Sequence, residues 1–410
     1  MDYNIANQSG GAKGPSGAVQ YTDGGGGFLG SSDVTIKNGT LNYVTLNPPI
    51  YTGISASASM VPTTSNINAI NSYNKTNFNQ LYFLDYPDTY SNGAAHGIGG
   101  AFLFTGGVLV PSGNVICIPN NSSNIGVYNP ITNVFTIGPG HGQGSGAFNG
   151  GVLVPSGNVI CIPTSSSNIG IYDPITNLYS NGAAHGSISF AGGVLVPSGN
   201  VILVPRNSLN VGIYNPITNL YSNGAAHGQG SSLNFTGGVL VPSGNVILVP
   251  RNSLNVGIYN PITNVYSNGA AHGQGTNSYF GGVLVPSGNV IFIPIGGPNI
   301  GIYNPMTDVF TQGPVVNQPN TDKWLGGVLA PNGTVICIPN NSSNIGVYNP
   351  ITNVFTDGAA HGSISFNGGV LVPSGKIIFM PRSSPNMGVY SSEYPIKDEQ
   401  VLLSPYFNKF

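Results

Sequence analysis

The chain has 410 residues, 40% of them hydrophobic, which is ample for a core, yet only 10 are Lys or Arg and 12 are Asp or Glu. A formal charge of −2 supplies no field to hold DNA, RNA or anionic lipid, which excludes nucleic-acid binding. Low charge is not disorder here, because β-branched and aromatic residues recur at regular intervals.

Residues 1–80 are rich in Gly, Asn and Ser, with few apolar runs. The start, "MDYNIANQSGG", lacks a basic stretch followed by an apolar one, so no signal peptide is visible. No apolar run in the chain approaches the roughly 20 residues of a membrane-spanning helix, so no membrane insertion is expected. The stretch "GPSGAVQYTDGGGGFLGSSDVTI" (14–36) resembles the head of phage tail-fibre and other viral structural proteins. That resemblance implies an attachment or oligomerisation segment that orders against other virion proteins or against further copies of the chain.

"DYPDTYSNGAAHG" (85–97) matches only the end of a repeat that then runs through the chain. The phrase "GGVLVPSG", or a variant, begins at Gly106, Gly150, Gly192, Gly237, Gly281, Gly326 and Gly368, spaced by 42 to 45 residues. Each copy reads as four apolar runs, such as "GVLVPSG", "NVICIP", "NIGIYDP" and "NLYS", separated by Pro, Gly and Asn where tight reversals need them. Four short strands in about 44 residues is the period of a propeller blade. After the last copy the chain leaves the pattern at "NMGVY" (386–390), lacking a fourth strand, which 85–97 supplies from the other end. Complementary partial repeats close a ring; a solenoid would carry caps instead. The expected fold is all-β: a seven-bladed propeller of four-stranded blades over 81–390, closed by an N-terminal strand. An extended, mostly irregular segment (1–80) precedes it, and a tail (391–410) packs on the ring or a neighbour.

The "YDP-x-TN-x-aromatic" half of the repeat, as in Tyr172–Tyr179, resembles kelch repeats of galactose-oxidase-like propellers. Here, however, the Gly pair precedes the first strand and Pro follows the second. The copper chemistry of galactose oxidase uses Tyr, Cys and His together. In this chain Cys117, Cys161 and Cys337 share one repeat position with Leu and Phe, so they read as core, and that activity is not carried over.

All six histidines, His96, His141, His185, His227, His272 and His361, precede a glycine at one point of the repeat, between the fourth strand and the next first strand. Zinc ligands must lie within about 4 Å of each other, which a wide ring does not offer, so these histidines read as hydrogen-bonding residues at the crossing. No metal or cofactor is expected. Between 91 and 390 there is no Glu, Asp173 and Asp308 replace Asn in the "YNPITN" turn and Asp357 replaces the Asn of "SNGAAHG", so no carboxylate pair is available for acid–base work.

Connections after the second and fourth strands share one face, and they vary between copies. Arg206, Arg251 and Arg382 stand in three of the loops after strand two. The crossing 311–327 has lost its His and carries Gln318, Asn320, Asp322, Lys323 and the sole Trp, Trp324. Trp324 shares its repeat position with Phe104, Phe148, Phe190, Phe235, Tyr279 and Phe366, which reads as packing. Planar polar side chains beside Arg and aromatic faces suit sugars, so these eight residues form the expected ligand site.

The sequence therefore reads as a non-enzymatic virion surface protein of fibre, spike or decoration type, extracellular, binding a host glycan or receptor. A secreted carbohydrate-active enzyme on a galactose-oxidase-like propeller is the alternative, and a kelch-type adaptor the second.

Overall fold

The computed structural model describes residues 3–4, 18–22, 28–37, 40–43, 88–186, 189–316, 322–362 and 365–392. The chain divides into two units, 1–85 and 86–410. In the first, strands Tyr3–Asn4, Ala18–Thr22, Phe28–Lys37 and Thr40–Tyr43 pair antiparallel in chain order. The tail 393–410 lies outside the described residues.

The second unit holds seven four-stranded antiparallel sheets, the blades of a propeller. Blade 2 is representative, with strands Phe148–Leu153, Val159–Pro163, Asn168–Asp173 and Leu178–Ala184 from the axis outward. The first reversal is a tight turn in which Gly157 (φ 89°) donates to the Val154 carbonyl at 2.9 Å. In the third-to-fourth turn, Asp173 Oδ1 accepts from the amides of Ile175 and Thr176 at 2.8 and 3.3 Å. Asn177 (φ 55°) then takes the left-handed conformation that Asn tolerates. The Gly pair lies inside the first strand, whose pairing shifts register between Phe148 and Gly151.

The core lies between blades. Val108, Ile116, Ile118 and Ile125 of blade 1 pack on Phe148, Val159, Cys161 and Tyr172 of blade 2. The same layering joins blade 1 to blade 7 through Phe104, Cys117, Ile378 and Met380. All three cysteines are fully buried there, and burial pushes their thiols up. The second glycine of each pair makes this packing feasible: a Cβ on Gly151 would sit 2.6 Å from Ile118 Cδ1.

Blade 7 closes the ring. Its strands Phe366–Leu371, Lys376–Pro381 and Asn386–Ser391 are completed by Thr89–Ala95. A repeated side-chain bridge locks neighbouring blades. Asn219 Oδ1 accepts from Tyr214 Oη of its own blade (3.0 Å) and from the Ala183 amide of the preceding one (2.8 Å). At the closure Asp88 takes this role, accepting from Tyr390 Oη at 2.9 Å and the Ala359 amide at 3.0 Å. Pro139 and Pro314 occupy the amide position in blades 1 and 5 and cannot donate.

Candidate functional site

The axis is narrow. A Cβ on Gly281 would lie 3.0 Å from Gly326 Cα, one on Gly368 3.0 Å from Gly106 Cα, and one on Gly106 3.5 Å from Gly150 Cα. Adjacent first strands therefore meet nearly backbone to backbone, and their glycines form a floor beneath whatever binds at either face.

On the loop face each crossing is tied down by its histidine. His141 Nε2 donates to the Ser122 carbonyl at 2.7 Å, while Nδ1 accepts the Gln143 amide at 3.1 Å. This pair of bonds sets the neutral Nε2–H tautomer. The ring stands edge-on to Phe148 and Tyr179 of the next blade, with centroids 5.5 and 6.1 Å away. Every histidine bonds a serine carbonyl in this way. Burial lowers the His272 and His361 imidazolium below its ordinary range, partly offset by those carbonyl bonds.

Beyond the histidine comes a second left-handed position, two residues before the aromatic that opens the first strand. It is occupied by Phe102 (φ 58°), Gly146 (68°), Leu233 (47°), Asn277 (55°) and Asp322 (59°). Its backbone is held by hydrogen bonds, on both sides at Gly146 and Asn277 and on one side at Phe102, Leu233 and Asp322. The amides of Gly146, Leu233 and Asn277 donate to Asn121, Asn207 and Asn252 of the preceding blade's loop at 3.0, 3.3 and 3.0 Å. The carbonyls of Phe102, Gly146, Asn277 and Asp322 accept from Asn121, Ser165, Gly296 and Asn341 at 3.1 to 3.3 Å. A left-handed Phe or Leu costs on the order of 1–2 kcal/mol, and such strain concentrates where side-chain placement matters.

A second variable set stands directly after the proline that ends each second strand: Asn120, Thr164, Arg206, Arg251, Ile295, Asn340 and Arg382. The two sets touch. Arg251 Nε donates to Asn277 Oδ1 at 2.9 Å, and Asn340 Nδ2 to the Asp322 carbonyl at 2.7 Å. Arg382 donates to Asn340 Oδ1 and lays its guanidinium 4.1 Å from the Phe102 ring centroid. Burial lowers both Arg251 and Arg382, and Asp322 pulls each back up, so one carboxylate is felt by arginines of blades 4 and 7.

Of the eight expected residues, the three arginines and Asp322 are half-buried on this face. Lys323 is buried; its Nζ donates to the Val316 carbonyl at 3.4 Å, and burial lowers its ammonium. Trp324 is fully buried, 5.2 Å from Phe355 in an edge-to-face contact, with no surface for a ligand. Gln318 and Asn320 lie outside the described residues. Sequence reasoning missed Phe102, Asn277 and Asn340. Their signal was variation at a fixed offset before each first-strand aromatic or after each "P".

Among the described residues no three His, Cys, Asp or Glu side chains gather to hold a metal.

No family model matches the chain, and no curated protein matches its sequence. Solved structures share its fold. A virginiamycin B lyase from Staphylococcus aureus superposes with a TM-score of 0.64 at 13% identity, covering 75% of this chain and 100% of that one. A fungal alcohol oxidase of the AA5 family, in complex with copper, gives 0.56 at 12%, covering 74% and 76%. The extracellular domain of a hybrid two-component system from B. thetaiotaomicron gives 0.61 at 10%, covering 76% and 44%. At such identities the likeness establishes the seven-bladed fold.

These comparisons overturn the reading of the chain as a non-enzymatic virion protein with virion partners and host attachment. The rings it superposes on include those of a lyase and an oxidase, and nothing among them supports the resemblance of 14–36 to viral structural proteins. The physical error lies in the carboxylate argument. A missing Asp/Glu pair excludes two-carboxylate hydrolysis, not eliminations that need one base and a charge-stabilising group.

Proposed function

We propose that the protein is an extracellular carbohydrate-active enzyme whose substrate lies on the loop face, above the glycine floor. The observation that carries this reading is the clamped left-handed position. An otherwise repetitive ring holds Phe102, Leu233, Asn277 and Asp322 in one left-handed backbone geometry, strained at Phe102 and Leu233, while letting their side chains differ. An extracellular setting is supported by the likeness to an extracellular domain.

An elimination fits better than an oxidation. The fungal oxidase is a copper protein, and the described residues do not fit that metal: the cysteines are sealed in the blade cores, and each histidine already bonds a backbone carbonyl. Within an elimination, Lys323 is the candidate proton acceptor: it directly follows Asp322 on the crossing, its Nζ is held only loosely by the Val316 carbonyl at 3.4 Å, and burial moves its ammonium in the direction a general base requires. Phe102 with Arg382 offers an aromatic and planar cationic wall, held by the buried Asn340, and Asn277 and Asp322 supply polar contacts to hydroxyls.

The test is incubation of the purified chain with neutral and acidic polysaccharides, reading unsaturated products by ultraviolet absorbance and mass spectrometry, and hydrogen peroxide in parallel. Unsaturated fragments that disappear in Lys323→Ala, with the fold intact by circular dichroism, are the expected result. Peroxide formation, or no product from any polysaccharide, would overturn the reading.

A further inference from the structure

We infer that Arg206 and Arg251 form an anion subsite that takes the carboxylate or sulfate groups of an acidic polysaccharide. The inference rests on the enzyme reading only in taking that polysaccharide for the substrate; the subsite follows from the fold.

The two arginines occupy one repeat position in adjacent blades 3 and 4, inside a 24-residue stretch that is identical in 196–219 and 241–264. Their backbones are anchored alike, Arg206 N to the Ser189 carbonyl at 3.1 Å and Arg251 N to the Asn234 carbonyl at 2.8 Å. The guanidiniums therefore leave the same face from equivalent points, one blade apart, and both are half-buried. Arg251 is oriented by Asn277. Among the described residues Arg206 has no side-chain hydrogen bond and no carboxylate partner; the charge it senses is Arg251, which adds to desolvation in disfavouring its cationic form.

That arrangement is unfavourable without a ligand. Arginine stays charged in proteins, and while Asp322 offsets the charge of Arg251, Arg206 stands half-buried at the equivalent point of the adjacent blade with no carboxylate to offset its own. The chain has 10 basic residues in 410, so the pairing does not follow from crowding of charge. Other blades carry Asn120, Thr164, Ile295 or Asn340 at this position, so the fold does not require arginine there. An oxyanion between the two would remove the repulsion and accept paired N–H bonds from either fork. Carboxylates and sulfate esters share that chemistry. Arg382, farther round the same face beyond Asp322, is placed for another acidic group of an extended chain rather than the same one.

The experiment measures binding of the full chain to polygalacturonate (carboxylated), dextran sulfate (sulfated, without carboxylates) and dextran (neutral) by calorimetry at several salt concentrations. The expected result is binding to an acidic polymer at least tenfold tighter than to dextran, weakened by salt, and reduced tenfold or more in Arg206→Gln/Arg251→Gln. Which acidic polymer binds tells carboxylate from sulfate. Melting of the unliganded double variant at or above the parent temperature would establish that the loss is not misfolding. Equal affinity for dextran, or unchanged affinity in the double variant, would overturn the subsite. Arginine-dependent binding with no turnover would sink the enzyme reading and leave the subsite standing. Turnover of dextran without preference for acidic polymers would do the reverse.

Discussion

The turn face and the loop face of the ring both use left-handed residues, and they fill them by different rules. On the turn face the position holds Asn133, Asn177, Asn219, Asn264, Asp308 and Asn353, all with φ near 50–60°. These side chains suit the conformation locally, and each also accepts a tyrosine hydroxyl of its own blade at 2.9–3.0 Å. On the loop face the equivalent strain is carried by Phe102 and Leu233 as well as Gly146, Asn277 and Asp322. Stability alone would place Gly or Asn there every time. The turn face therefore holds residues that its conformation favours, and the loop face holds two, Phe102 and Leu233, that it disfavours.

Ring closure gives the largest test, because everything on either face depends on it. Deleting residues 1–95 removes Thr89–Ala95 together with Asp88, stripping blade 7 of its outer strand and its bridge to blade 6. The expected outcome is aggregation in size-exclusion chromatography and loss of a cooperative melt, since a long unpaired edge is left exposed. A soluble monomer melting like the parent would show that the faces do not need the closed ring.

Exchanging left-handed residues compares the faces directly. Asn177→Ala on the turn face removes the partner of Tyr172 Oη and forces Ala into the left-handed region, an expected loss of about 2–3 kcal/mol in denaturant unfolding. Leu233→Gly on the loop face relieves strain and should stabilise by about 1 kcal/mol while lowering the turnover proposed above. Destabilisation by Leu233→Gly with turnover unchanged would mean the loop-face position is assembly after all.

The smallest effect is expected from pH. In the folded chain burial disfavours protonated His272 and His361, so their pKa lies below the ordinary 6.5. The unfolded chain then binds protons first as pH falls. Their contribution is fully present above about 6.5 and is lost progressively below it, through the lowered folded values. Melting temperature should drop modestly between pH 7.5 and 5, and less in His272→Gln/His361→Gln. An identical drop in that variant would place the acid sensitivity elsewhere than the crossings.

Blade number, strand order and closure were legible in the sequence because they depend on local chemistry and on matching ends. "PSGN" and "YNPITN" encode their own turns, alternating apolar residues encode buried strands, and the partial repeats at 85–97 and 386–390 complement each other. The face that carries variation, and the arginines on it, were also readable, since loops after even-numbered strands must share an end of the sheet. Three things were decided only in three dimensions. The left-handed backbone is held at Phe102 by the Asn121 amide of its own blade and at Leu233 by Asn207 of the preceding blade, against local preference, so propensity could not reveal it. Lys323 is buried by its surroundings although its composition reads as surface. The mutual influence of Arg206 and Arg251, and of Asp322 on Arg251 and Arg382, joins residues 45 to 71 positions apart in the chain. Coulomb energy depends on distance in space, and only closure of the ring sets that distance.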